Sequence, residues 1–113
     1  MRIGELSARS GLTRDTIRFY ERNGLLTSAP GEEATNNYRD YSEHTLMLLQ
    51  FLHGAREAGL SIADLRELSE ALDKTCAHDV ARQVIQAKID DLARKAGQIA
   101  AASDYLKQAL AGL

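Results

Sequence analysis

The chain of 113 residues holds one cysteine, Cys76, and no apolar run longer than four residues, as at Leu46–Leu49. A single thiol cannot close an internal disulfide, which fits a reducing compartment. Four apolar residues fall far short of the ~20 that a membrane-spanning helix needs. The N-terminal stretch carries Glu5 and lacks the apolar segment of an export signal, so a cytoplasmic protein is expected. There is no excess of positive charge either. The net charge is -2, and residues 1–41 carry six Arg and no Lys against six Asp or Glu. Bulk charge therefore gives no support to nucleic-acid binding, and any basic signal must be positional. Catalytic patterns are also missing: no carboxylate pair, no glycine-rich phosphate loop and no Cys–His arrangement of catalytic spacing. An enzyme is not expected.

Positioned basic charge is present between Leu12 and Leu26. Leu12 and Ile17 flank Thr13 as a hydrophobic staple flanks a helix N-cap. Gly24 stands where a helix ends in the left-handed conformation. Between them Arg14, Arg18 and Arg22 recur every four residues and share one stripe, while Ile17 and Tyr20 face the core. A short helix with one arginine face, joined by a glycine turn to another short helix over 3–10, suits a reader of the DNA major groove.

Ile3 and Leu6 turn inward on that first helix, and Gly11 ends it. Residues 27–37, with Pro30, Gly31, Asn36 and Asn37, have the composition of a loop. Tyr38-Arg39-Asp40-Tyr41 alternates aromatic and charged residues, as a short strand or wing does. Ser42 caps a helix running to about Ala58, with Tyr41 and Leu46 as its staple and Leu46, Leu49, Phe51, Leu52 and Ala55 in its apolar stripe. Ser61 caps another, with Leu60 and Leu65 as the staple, ending near Leu72. The last segment, about 77–111, lacks proline. Ile85, Leu92, Ile99, Leu106 and Leu113 recur every seven residues, and Ile89, Ala96, Ser103 and Leu110 follow the first four of them by four. That is a heptad seam on a helix ~50 Å long, too long for the preceding short elements to cover. A homodimer is expected, with a head at 1–72 and a dimerisation helix at 73–113.

In this order, the motifs Ile3-Gly4-Glu5-Leu6, Ser10-Gly11-Leu12-Thr13, Thr16-Ile17-Arg18-Phe19-Tyr20-Glu21-Arg22-Asn23-Gly24-Leu25-Leu26, Asn37-Tyr38-Arg39-Asp40-Tyr41 and Gly54-Ala55-Arg56-Glu57-Ala58-Gly59-Leu60-Ser61-Ile62 resemble the MerR family of transcriptional regulators. The resemblance implies a mainly α fold: a winged helix-turn-helix head, then a long helix forming an antiparallel coiled-coil dimer. It implies binding to double-stranded promoter DNA, with the effector-bound dimer bending and untwisting the spacer so that RNA polymerase engages both flanking elements, a form of indirect readout. Position by position, it implies DNA contacts at Arg18, at Thr13, Arg14 and Thr16 around the start of the recognition helix, at Tyr20, at the wing pair Tyr38 and Arg39, and at Arg56. Asp15 departs from the pattern. An acid there repels phosphate unless it pairs with Arg18 or faces a cytosine amine. The seam residues Ile85, Ile89, Leu92, Ala96, Ile99, Leu106 and Leu110 take the dimerisation role.

Cys76 falls where the family's divalent-metal sensors keep a ligand cysteine, and His78 is a second candidate ligand. The effector so implied is a soft divalent ion: zinc, cadmium, lead or mercury. Those sensors complete their sites with cysteines in a loop beyond the coil, and no other cysteine is present here. Soft-metal sites rarely rest on one thiolate. Three alternatives stand: the missing ligands lie after Leu113, Cys76 senses by reacting with a thiol-reactive small molecule, or the effector is something else. His44 and His53 read as surface or filler residues. A coiled-coil adaptor without DNA is the competing class, but it has no need of both an arginine helix and a Tyr38-Arg39 wing.

Overall fold

The computed structural model describes residues 1–30, 39–73 and 78–113. The chain divides into two compact units, Met1–Cys76 and Ala77–Leu113. The first comprises α1 (Ile3–Ser10), α2 (Arg14–Arg22), β1 (Ala29–Pro30), β2 (Arg39–Asp40), α3 (Glu43–Glu57) and α4 (Ile62–Ala71). The second is a single helix, α5 (His78–Ala111).

Three helices of the head begin on the predicted caps. The hydroxyls of Thr13, Ser42 and Ser61 accept from the backbone N–H of Thr16, Thr45 and Asp64. At Ser61 the Asp64 carboxylate returns the contact to the Ser61 N–H, which closes a capping box. The ends of α2 and α3 share another device. Gly24, at φ 74°, lets Leu25 N–H reach back to the Tyr20 carbonyl and Gly24 N–H to that of Glu21. Gly59, at φ 107°, does the same for Leu60 and Ala55. Both are Schellman closures, which need a left-handed residue that glycine supplies without steric cost.

These ends set the helix directions, and the apolar faces close one core. α1 packs on α2 and α3, and α3 packs on α4. Leu6, Ile17, Tyr20, Leu25, Leu49, Leu52 and Leu65 are fully enclosed. Phe51, placed by its sequence in the α3 stripe, is instead 43% exposed, and Thr45 is buried in its stead. Two residues beyond Leu49 is about 200° around a helix, so Phe51 turns away from the face that Leu49 defines. β1 and β2 pair antiparallel, Ala29 with Asp40 and Pro30 with Arg39. β1 lies inside the stretch whose composition reads as a loop. Proline lacks an N–H and is tolerated in so short an edge pairing, but it hides the strand from a pattern search.

On α5 none of the described side chains is buried. Ile99, Leu106 and Leu110 are 70%, 65% and 71% exposed, and Ile89, Leu92 and Ala96 are exposed with them, while Ile85 is half-covered. Among the described residues no helix is long and apolar enough to cross a membrane.

Arg9 donates to both carboxylate oxygens of Glu43, at 2.5 and 2.9 Å, and ties α1 to the first turn of α3. That hydrogen bonding holds the Glu43 carboxyl below its ordinary range and raises the Arg9 guanidinium. A carboxyl whose pKa is lower folded than unfolded adds stability that is complete above the ordinary carboxylate range. This stability is lost as the pH falls through that range to the lowered value. Glu43→Gln is therefore expected to lose stability less steeply than wild type on acidification, with a small effect because both groups are exposed. Thermal melts with identical acid slopes would contradict this.

Candidate nucleic-acid interface

α1 and α2, joined through Gly11, Leu12 and Thr13, form a helix-turn-helix whose second helix turns its polar face outward. Arg14, Arg18 and Arg22 are all exposed on that face, and Thr13 beside them is exposed as well. Thr16 is half-buried, its backbone N–H 3.1 Å and its hydroxyl 2.9 Å from the Thr13 hydroxyl oxygen. Arg18 Nη1 lies 3.4 Å from Asp15 Oδ1, so the acid that departs from the family pattern pairs with an arginine one turn on. The Arg14 guanidinium reaches back over α1. A Cβ on Gly4 would stand 2.9 Å from its Nη2.

The opposite face of α2 is held from below. Tyr20 is wholly buried, and its hydroxyl shares a 3.0 Å hydrogen bond with Nδ1 of His53 on α3. His53 Nε2 lies 3.0 Å from Glu57 Oε1. A carboxylate only accepts, so Nε2 is the donor to Glu57, and the ring bridges the Tyr20 hydroxyl to that carboxylate. Arg56, exposed on α3, stacks its guanidinium 4.5 Å from the Phe19 ring centroid and 5.7 Å from that of Tyr20. This cation–π placement brings a fourth arginine of the head to α2. α4 closes the far end, with Arg66 Nε donating to the Asn23 carbonyl at 3.2 Å and Ser69 Oγ to the Leu25 carbonyl at 2.9 Å. Backbone carbonyls left open beyond a helix end are thereby satisfied.

Thr13 and Thr16 thus meet at the N-terminal end of α2, Arg14 in its first turn reaches over α1, Arg18 stands at its middle, and Arg56 is docked on Phe19. Tyr20 presents no surface, because its ring and hydroxyl serve the core. Arg39 stands in β2 with its backbone opposite Pro30. Tyr38 and Cys76 lie outside the described residues. His78 is the first residue of α5 and is exposed. No group of three or more His, Cys, Asp or Glu side chains among the described residues is placed to hold a metal ion. Sequence reasoning passed over His53, Phe19 and Arg66. Each acts through a contact between residues distant in sequence, which no local pattern announces.

The family profile described as "MerR HTH family regulatory protein" matches residues 1–72, and "MerR, DNA binding" matches 46–109. The chain is 40% identical over 96 residues to the HTH-type transcriptional regulator HmrR of Rhizobium leguminosarum bv. viciae, covering 84% of this chain and 72% of that protein. It is 35% identical over 101 residues to the mercuric resistance operon regulatory protein of Bacillus cereus, covering 82% and 75%. Among solved structures it resembles the transcription regulator PbrR691 from Ralstonia metallidurans CH34 in complex with lead(II). There the TM-score is 0.67 at 28% identity, with 96% of this chain and 83% of that one covered.

The support beneath α2 has a measurable cost of removal. His53→Ala is expected to destabilise the head by about 1–3 kcal/mol, because the Tyr20 hydroxyl loses its partner where water enters poorly. Adding Tyr20→Phe removes the stranded hydroxyl, so the double variant should be less destabilised than the two single losses summed. Strict additivity in denaturant melts would show that the pair does not interact.

Proposed function

The chain belongs to the MerR family of DNA-binding transcriptional regulators, and from that premise we propose that it binds double-stranded promoter DNA as a homodimer with α2 in the major groove. It is a regulator and not an enzyme. The observation that carries the proposal is the arginine face of α2: Arg14, Arg18 and Arg22 exposed on a helix whose other face is locked into the core. In this role Arg18 reads base edges, helped by Thr13, Arg14 and Thr16, while Tyr38 and Arg39 of the wing and Arg56 grip phosphate. Tyr20 supports the recognition helix from behind. Phosphate contacts fix register and orientation, and base contacts carry sequence.

Dimerisation in this proposal runs through Ile85, Ile89, Leu92, Ala96, Ile99, Leu106 and Leu110 as an antiparallel coiled coil. Exposed apolar residues at heptad spacing on a 34-residue helix favour a partner that removes them from water. Two heads then deform the promoter spacer and present it to RNA polymerase, with the cytoplasm as the place of action. The proposed effector is a soft divalent metal ion. This is supported by relatives named for mercuric resistance and for a lead(II) complex, and by the thiol of Cys76. The described residues alone do not make the site: of the two candidate ligands Cys76 and His78 only His78 lies among them, and no group of three or more His, Cys, Asp or Glu there is placed to hold a metal ion. In an antiparallel dimer the two Cys76 residues would lie at opposite ends of the coil, giving two separate sensing sites.

Arg18→Ala should weaken binding to a duplex selected by the wild-type chain by about 1–3 kcal/mol, as the loss of one bidentate base contact does. Discrimination against mismatched duplexes should fall with it while the oligomeric state stays unchanged. An unaltered footprint and affinity would remove Arg18 from the interface. Leu92→Asp places a carboxylate in the seam and should abolish the dimer in sedimentation, because a buried unpaired charge is far costlier than an exposed one. An intact dimer would show that the seam lies elsewhere.

A further inference from the structure

Glu21 sits on α2 three residues after Arg18 and four after Ile17, at the border between the arginine face and the buried face. It is half-buried, and both of its carboxylate oxygens are engaged. Ser28 Oγ donates to Oε1 at 2.6 Å, and Tyr41 Oη donates to Oε2 at 2.9 Å. Ser28 immediately precedes β1 and Tyr41 immediately follows β2. Continuing the ribbon register by one residue beyond the Ala29–Asp40 pair sets Ser28 opposite Tyr41. One carboxylate on α2 therefore holds both feet of the β ribbon. Tyr41 is itself buried and leads directly into the Ser42 cap of α3, so the clamp is anchored in the core.

We infer that Glu21 is a positioning residue that sets the β1–β2 ribbon at a fixed offset from the arginine face of α2, so that the wing and the recognition helix reach DNA together. This rests on the proposal that α2 and the wing both contact DNA. Simple electrostatics argues the other way for this residue. A carboxylate near a duplex opposes the dense phosphate charge, so its removal should tighten binding. Positioning predicts the opposite sign, and the two accounts separate cleanly. Glutamine also separates them. Its amide both donates and accepts, and both partners are hydroxyls that do the same, so it keeps the geometry while discarding the charge.

The test uses the full chain as Glu21→Ala, Glu21→Gln and the pair Ser28→Ala with Tyr41→Phe. Amide hydrogen exchange at Asp40 and Tyr41 is read without DNA, and affinity for a selected duplex is read across a salt series. Glu21→Ala and the paired variant should speed exchange and weaken binding about tenfold, the scale of a lost hydrogen bond to a charged group. The log–log salt slope should also fall by about one for each wing phosphate released. Glu21→Gln should stay near wild type in both. If Glu21→Ala does not fold, the paired variant reads the same quantities with the carboxylate still in place. Tighter binding by Glu21→Ala with an unchanged salt slope would overturn the inference, as would unchanged exchange in every variant. Faster exchange with unaltered affinity and slope would overturn it from the other side, by showing that the ribbon does not contact DNA. A wild-type chain that binds no duplex would instead refute the proposed function, and the exchange data would still judge the clamp.

Discussion

The head depends on the burial of one edge of α2. Ile17 and Tyr20 are enclosed, and Leu25 is drawn in behind them by the Gly24 closure. Once that edge is fixed, a 3.6-residue period leaves no freedom for Arg14, Arg18 and Arg22, which must point to solvent. The exposed arginine face, proposed to contact DNA, is thus a consequence of core packing. His53, Arg66 and Ser69 reinforce the same constraint from α3 and α4, by satisfying the tyrosine hydroxyl and the carbonyls past the end of α2. In the proposed complex, preorganisation of this kind would lower the ordering cost of binding, because the arginines would need only to settle their own side chains.

The two units solve opposite problems. The head encloses a core of apolar residues, and none of its buried side-chain polar atoms among the described residues is left without a partner. α5 does the reverse, with a repeating apolar stripe in the open and charges such as Asp91, Arg94 and Lys95 paired among themselves on the helix surface. Surface pairs of that sort add little stability, and a helix of this length draws most of its stability from packing. The dimer proposed for the chain is the arrangement in which both units have a buried apolar face.

Much of the fold was legible because its signals are local. Caps at Thr13, Ser42 and Ser61, each with a staple one residue before and four after, mark helix starts within a few residues of sequence. Glycines at 11, 24 and 59 mark the ends. The arginine stripe is likewise a property of spacing. The contacts that support the stripe were not legible. Glu21 reaches Tyr41 across 20 residues, and Tyr20 reaches His53 across 33, so His53 looked like a filler residue until the helices were assembled. Phe51 shows the converse error. An apolar residue near a stripe was counted into it, although its angle on the helix carries it outward. The wing was half legible: its second strand was marked by alternation, and its first was concealed by proline.

In the proposed role, positioned arginines rather than bulk charge make this acidic chain a DNA-binding protein. That role is tested most directly by measuring the affinity of the wild-type chain for a duplex selected from a random pool as salt is varied. A dimer gripping several phosphates should show a linear fall of log affinity with log salt, losing about three orders of magnitude or more between ~50 and ~200 mM. A scrambled duplex should bind far more weakly throughout. An affinity independent of salt, or equal for the selected and scrambled duplexes, would contradict the account.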